Sequence, residues 1–164
     1  MSRPSASAFA MNAPGPHGAD DSINYGPLEH WVAFHLRMAQ VVSFQAFARL
    51  AHGVNLSPGR FAVLTLIGQN PGISQTALSR ANRNDKSTLT SALGGLVQKG
   101  LVKRQRTKGD KRIYQLTITP AGEKLLQQLT ECARQHDRNL TRVIGPREYA
   151  HFMQILRKIA AEAG

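Results

Sequence analysis

The strongest chemical signal in this 164-residue chain is a concentration of cations over 74–119. Arg80, Arg83, Lys86, Lys99, Lys103, Arg104, Arg106, Lys108, Lys111 and Arg112 fall there against only Asp85 and Asp110, so the stretch carries +8 of a formal net charge of +11. Guanidinium and ammonium groups at this density neutralise phosphates, and release of condensed counterions from a duplex gives such a surface salt-dependent affinity. A run of Lys and Arg by itself is more often a solvated face. Here it lies beside a second feature. At about 100° per residue, Ser87, Thr90, Ser91, Gly94 and Gln98 gather on one side of a helix and Leu89, Ala92, Leu93 and Leu96 on the other. Such a helix buries one face and offers a major groove another that holds no large apolar group.

Other chemistries are poorly supported. Cys132 is the single cysteine, so an intrachain disulfide framework and a cysteine-based zinc site are excluded and a reducing cytoplasm fits. Its place on an apolar stripe marks it as a buried, inert thiol, with peroxide sensing the minor option. The six histidines show no HExxH or paired spacing, carboxylates are scarce, and no nucleophile motif occurs. No metal, no cofactor and no enzyme activity are expected. No apolar run approaches the roughly 18 residues that cross a bilayer, so no membrane partner is expected either.

The elements that must position these residues follow from periodicity and punctuation. The first 26 residues carry three of the eight prolines and no apolar core of a secretory signal, and read as a disordered tail. Trp31, Val32, His35, Leu36, Val41, Val42, Phe44, Phe47 and Leu50 then recur with helical spacing, predicting one long helix over 28–53 with Gly53 as its stop. Ser57 and Pro58 start a second helix that ends at Asn70, Pro71 and Gly72. Ser74 starts a third; Asn82, Arg83 and Asn84 form a turn; a fourth runs over 85–99 and stops at Gly100. Strand patterns at 101–105 and 113–119 flank a polar tip with Gly109, predicting a hairpin. Pro120 opens a helix of about 25 residues, Gly145 and Pro146 break it, and Tyr149, Phe152, Met153, Ile155, Leu156 and Ile159 mark a last helix. The fold expected is mainly α with a small β-hairpin wing: a winged helix-turn-helix with further helices at both ends.

The stretch 73–122 resembles the winged helix-turn-helix of MarR-type regulators. Asp85, Lys86, Ser87, Thr88, Leu89 and Thr90 resemble the opening of that family's recognition helix, and Leu96, Lys99, Gly100, Leu101 and Val102 its close. Asp110, Lys111 and Arg112 resemble the Asp-x-Arg wing signature, and Leu116, Thr117, Thr119, Ala121 and Gly122 the run into the following helix. The resemblance implies a single domain over 27–164, with a DNA-binding lobe at 57–119 and dimerisation helices at 28–53 and 120–162. It implies a homodimer that places two recognition helices in major grooves and two wings in minor grooves of double-stranded DNA, at half-sites about 10 base pairs apart. The DNA-facing candidates are Ser74, Gln75, Lys86, Ser87, Thr88, Thr90, Ser91, Arg104, Arg106, Lys108, Asp110, Lys111 and Arg112, with Asp110 orienting an arginine. Two positions depart from the pattern. Asn82 and Arg83 replace an apolar residue and glycine in the turn, where Asn82 is a candidate for a left-handed backbone, and Gly94 and Gly95 sit inside the recognition helix at roughly 1 kcal/mol each.

The same resemblance implies release of DNA by a small-molecule effector, an aromatic acid or its coenzyme A thioester, held near the first, second and fifth helices. Trp31, Phe34, His35, Met38, Arg60 and Phe61 offer aromatic walls and cations for a carboxylate. Arg134, Arg138 and Arg142 repeat every four residues; they are a solvated stripe or, for Arg134 and Arg138, a phosphate-binding one. The function expected is a cytoplasmic transcriptional repressor. The alternatives are a constitutive or architectural DNA binder without effector, and a regulator switched by oxidation of Cys132.

Overall fold

The computed structural model describes residues 23–54, 56–82, 86–106 and 114–162. The chain divides into two compact units between Val42 and Ser43. In the first unit, Pro27 lies in the opening turn of a 3-10 segment, Gly26–His30, and Trp31 follows in an extended conformation. The helix α1 (Val32–Leu50) begins only after it. The continuous helix expected over 28–53 is therefore shorter at both ends: the extended backbone of Trp31 bounds it at the start, and a turn over 51–53 follows Leu50. Gly53, at φ +81, lies three residues past its end.

The second unit holds α2 (Pro58–Gln69), β1 (Ile73–Ser74), α3 (Gln75–Asn82), α4 (Lys86–Gln98), β2 (Val102–Arg106), β3 (Tyr114–Ile118), α5 (Pro120–Ile144) and α6 (Tyr149–Glu162). Ser57 caps α2 by accepting the Arg60 N–H at 3.4 Å, with Pro58 in the first turn where its missing N–H costs little. Ser74 caps α3 by accepting the Ala77 N–H at 3.1 Å. The strands form an antiparallel sheet in the order β1-β3-β2. Ile73 pairs with Leu116, and Arg104 and Arg106 pair with Leu116 and Tyr114. The strand β1 was not expected; the Gly72 N–H, bonded to the Leu116 carbonyl at 3.0 Å, starts it. Asn82 closes α3 as a helical residue rather than a left-handed one.

The core joins these elements. Val63, Leu64 and Ile67 of α2, Leu78 of α3, Leu89 and Leu96 of α4, Leu116 of β3 and Leu129 of α5 are fully buried. The sequence of α2 is apolar all round because the helix packs against α3, α4, α5 and β3. Gly100, at φ +68, ends α4: its N–H bonds to the Val97 carbonyl and the Leu101 N–H to that of Leu96, a Schellman cap that turns the chain into β2. Thr119 then ties the elements together. Its hydroxyl donates to the Gly100 carbonyl at 2.7 Å and accepts the Gly122 N–H at 3.0 Å, capping α5. Toward the other end of α5 and in α6, Leu140, Val143, Tyr149, Phe152 and Ile155 leave apolar side chains exposed. Among the described residues no helix is long and apolar enough to cross a membrane.

Candidate nucleic-acid interface

The two faces of α4 separate as the periodicity requires. Leu89, Ala92, Leu93 and Leu96 are buried, while Ser87, Thr88, Thr90, Ser91, Gly94 and Gln98 are exposed. Gly94 faces open space, with nothing within 4 Å of where a Cβ would stand. A cleft runs along each side of this arc. One, of about 310 Å³, is lined by Gln75 of α3, Thr90, Gly94 and Gln98 of α4, and Arg104 of β2. The other, of about 490 Å³, is lined by Ser57, Gly59 and Arg60 at the start of α2 and by Ser87, Thr88 and Ser91 of α4.

The base of the wing carries an arginine pair built on an aromatic ring. Cross-strand register puts Val102, Arg104 and Arg106 on the same sheet face as Leu116 and Tyr114. Val102 and Leu116 are buried at the inner end of that face, and the arginines lie at its exposed outer end. The Arg104 guanidinium sits 3.8 Å over the Tyr114 ring, and Arg106 Nε donates to the Tyr114 hydroxyl at 3.3 Å. The Arg106 hydrogen bond, then the Arg106 and Arg104 charges, lower the Tyr114 pKa below the ordinary tyrosine value. Neither arginine has an acidic partner among the described residues.

The structure thus brings Gln75, Ser87, Thr88, Thr90, Ser91, Arg104 and Arg106 onto one surface and opens α4 with Lys86. Ser74 is half-buried and serves as a cap. Lys108, Asp110, Lys111 and Arg112, with Arg83 and Asp85, lie outside the described residues. Tyr114 belongs to this candidate surface and was missed in reading the sequence; its signal is its pairing with Arg106, which depends on hairpin register.

The residues singled out for an effector are spread over both units. In the first, Trp31 is exposed, Phe34 packs its ring 5.7 Å from Tyr25 and 5.6 Å from His35, and His35 Nε2 hydrogen-bonds to the Glu29 carbonyl at 2.7 Å. Met38 is half-buried. In the second, Phe61 stacks on buried Phe47 at 5.4 Å. Its neighbour Arg60 points elsewhere: the guanidinium lies against Gly95 of α4. Arg134 and Arg138 are exposed and both reach Glu131, at 3.3 and 3.4 Å. Cys132 is half-buried and donates its thiol hydrogen to the Leu50 carbonyl.

Comparison with known proteins accords with this geometry. The MarR family model matches residues 56–114. The putative transcriptional regulatory protein for the hcr operon of Thauera aromatica is 29% identical over 136 residues, 82% of each chain. The transcriptional regulator HosA of Escherichia coli is 33% identical over 128 residues, 77% of this chain and 93% of HosA. Among solved structures, the transcriptional repressor CouR bound to a 23-mer DNA duplex superposes with a TM-score of 0.76 at 28% identity, covering 84% of this chain and 98% of CouR. CouR bound to p-coumaroyl-CoA superposes at 0.77 with 27% identity, covering 85% of this chain and 99% of CouR. The polar recognition helix, its arginine-bearing wing and these likenesses converge: the chain belongs to the MarR family of DNA-binding winged-helix transcriptional regulators, which are not enzymes.

Proposed function

We propose that this regulator is a homodimeric repressor that holds a pseudo-palindromic operator and lets go when it binds an aromatic acid or its coenzyme A thioester. The observation that carries the DNA half is the continuous surface made by the small polar arc of α4 and the Arg104–Tyr114–Arg106 group beside it. Ser87, Thr90 and Ser91 reach base edges from the groove, while Lys86, Arg104, Arg106 and, on the wing, Lys108, Lys111 and Arg112 meet phosphates. Asp110 orients one of those arginines, because a carboxylate beside phosphates is repelled. The lobe over 57–119 reads DNA, and the flanking helices over 28–53 and 120–162 dimerise; the apolar side chains exposed on α5 and α6 support that division.

The effector half is supported by CouR, which has been solved with p-coumaroyl-CoA and with DNA. In this chain the N-terminal unit offers Trp31, Phe34, His35 and Met38 to an aromatic ligand, and the second unit offers Phe61 and the exposed guanidinium groups of Arg134 and Arg138.

Genomic DNA fragments retained by the purified protein identify the operator. Binding to that duplex is then titrated with a panel of aromatic acids and their coenzyme A thioesters. Release by one of them, with the dimer intact, is the expected result. Tight binding that no member weakens leaves a constitutive DNA binder. Release by peroxide that Cys132→Ser abolishes replaces the effector by a redox switch.

A further inference from the structure

Gly95 looks like a weakness in α4, since glycine inside a helix costs about 1 kcal/mol relative to alanine. The structure shows what fills the gap. A Cβ on Gly95 would stand 3.2 Å from Arg60 Cζ and 3.3 and 3.5 Å from its two terminal nitrogens, so the guanidinium lies flat on the backbone of α4. Gly95 continues the row Ser87, Ser91 at intervals of four, and Arg60 shares its cleft with both serines. The Arg60 side chain has no acidic or hydrogen-bonding partner among the described residues, and a half-buried cation without one is poised for an anion from solution. On the opposite side of α4, Arg104 shares its cleft with Thr90 and Gly94.

We infer that Arg60 is a DNA-backbone contact, supplied by α2 from outside the helix-turn-helix and wing, rather than a partner for an effector carboxylate. The reason is geometric. A helix about 10–12 Å across fills a major groove about 12 Å wide, so a strand of phosphates runs along each of its sides. Arg104 provides the cation on one side and Arg60 on the other. The inference rests on α4 being the recognition helix, as proposed above.

The test measures binding of the full-length protein to the retained operator duplex and to a random duplex of equal length, between about 50 and 200 mM KCl. Each phosphate that the protein no longer neutralises lowers the slope of log affinity against log salt by about 0.9. Arg60→Gln is expected to lower that slope by roughly 1.8 for the two copies in a dimer, and to weaken both duplexes alike, about tenfold or more. Arg60→Lys keeps most of the slope. Wild-type affinity and slope in Arg60→Gln overturn the inference. Arg104→Ala tells the two readings apart: if it too leaves the slope unchanged, the interface itself is misplaced, whereas a silent Arg60 beside a sensitive Arg104 removes Arg60 alone from the interface. Should Arg60→Gln fail to fold, Arg60→Met decides: it keeps an unbranched stem to pack against α4 and removes the charge, so the slope falls, and a wild-type slope there overturns the inference.

Discussion

Gly122 and Gly94 both lie in α-helices, yet replacing each by alanine should move stability in opposite directions. At Gly122, in the first turn of α5, a Cβ would overlap the Leu101 carbonyl oxygen and stand 2.7 Å from Ile118 Cγ1 and 3.1 Å from the Leu101 carbonyl carbon. The Ile118 side chain can turn away. The Leu101 carbonyl cannot, because it accepts the Thr119 N–H at 3.0 Å and stands between the end of α4 and the start of β2. Carbon–oxygen contacts settle at about 3.3 Å or more, so α5 and the wing must part by on the order of 1 Å. Overpacking of this kind costs about 1–3 kcal/mol, and the propensity gain of alanine, at most about 1 kcal/mol, offsets only part of it. For a chain of this length each kcal/mol shifts Tm by roughly 2–4 °C, so a net loss of about 1–2 kcal/mol should make Gly122→Ala melt about 2–8 °C low. Gly94, with open space around its missing Cβ, has only the gain, and Gly94→Ala should melt about 2–4 °C high. It should also bind operator less tightly, because the new methyl stands on the arc proposed to enter the groove. Calorimetry at one fixed protein concentration decides, since the Tm of any self-associating protein depends on concentration. A wild-type Tm for Gly122→Ala, or a lowered one for Gly94→Ala, refutes the packing described.

Thr119→Ala removes both the α5 cap and the bond to the Gly100 carbonyl, and should cost about 1–2 kcal/mol in urea denaturation, while Thr119→Ser keeps most of it. Tyr114 gives a pH dependence. Its pKa is lowered, chiefly by the Arg106 hydrogen bond, so the phenolate forms at a lower pH than in the unfolded chain, and its contribution to stability grows as pH rises through the folded pKa toward about 10. That phenolate neutralises an arginine of the proposed DNA surface. Operator affinity at constant ionic strength should therefore fall at alkaline pH sooner in the wild type than in Tyr114→Phe, and superimposable profiles contradict the arrangement. Arg104→Ala should weaken operator and random DNA together and flatten the salt dependence, read by anisotropy titrations at several salt concentrations, while the lost stacking on Tyr114 lowers Tm by no more than about 4 °C.

What the sequence made legible depended on how local the cause was. The faces of α4 follow from its own period, and each apolar position assigned to the core, Leu89, Ala92, Leu93 and Leu96, is buried. The caps at Ser57, Ser74 and Gly100 are equally local. By contrast, β1 is two residues long and exists only through its pairing with β3, so no alternation could announce it. Tyr114 was passed over because its partners are set by a hairpin whose connection, 107–113, is too long for turn chemistry to fix the register. Arg60 and Phe61 are neighbours of similar promise for an aromatic acid, yet one reaches α4 and the other stacks on Phe47. That divergence is set by the crossing of α2 over α4, where Gly95 was a visible clue with no visible partner.

The junction at Thr119 bears on how such a lobe could respond to events elsewhere in the chain. The end of α4, the start of β2 and the first turn of α5 meet through backbone groups: Gly100 and Leu101 carbonyls, the Thr119 and Gly122 N–H groups, and one threonine hydroxyl that serves two of them. Gly122 removes even the methyl that would otherwise cushion α5 against Leu101. Contacts between side chains can be relieved by a change of rotamer, but backbone contacts cannot, so these three segments have to move as one body. A displacement of the first turn of α5 must reach the recognition helix and the wing together, altering the distance between the two DNA-reading parts of one protomer far less than it alters their position relative to the rest of an assembly. In the proposed homodimer, such a junction would let the spacing of the two lobes change more readily than the shape of either one.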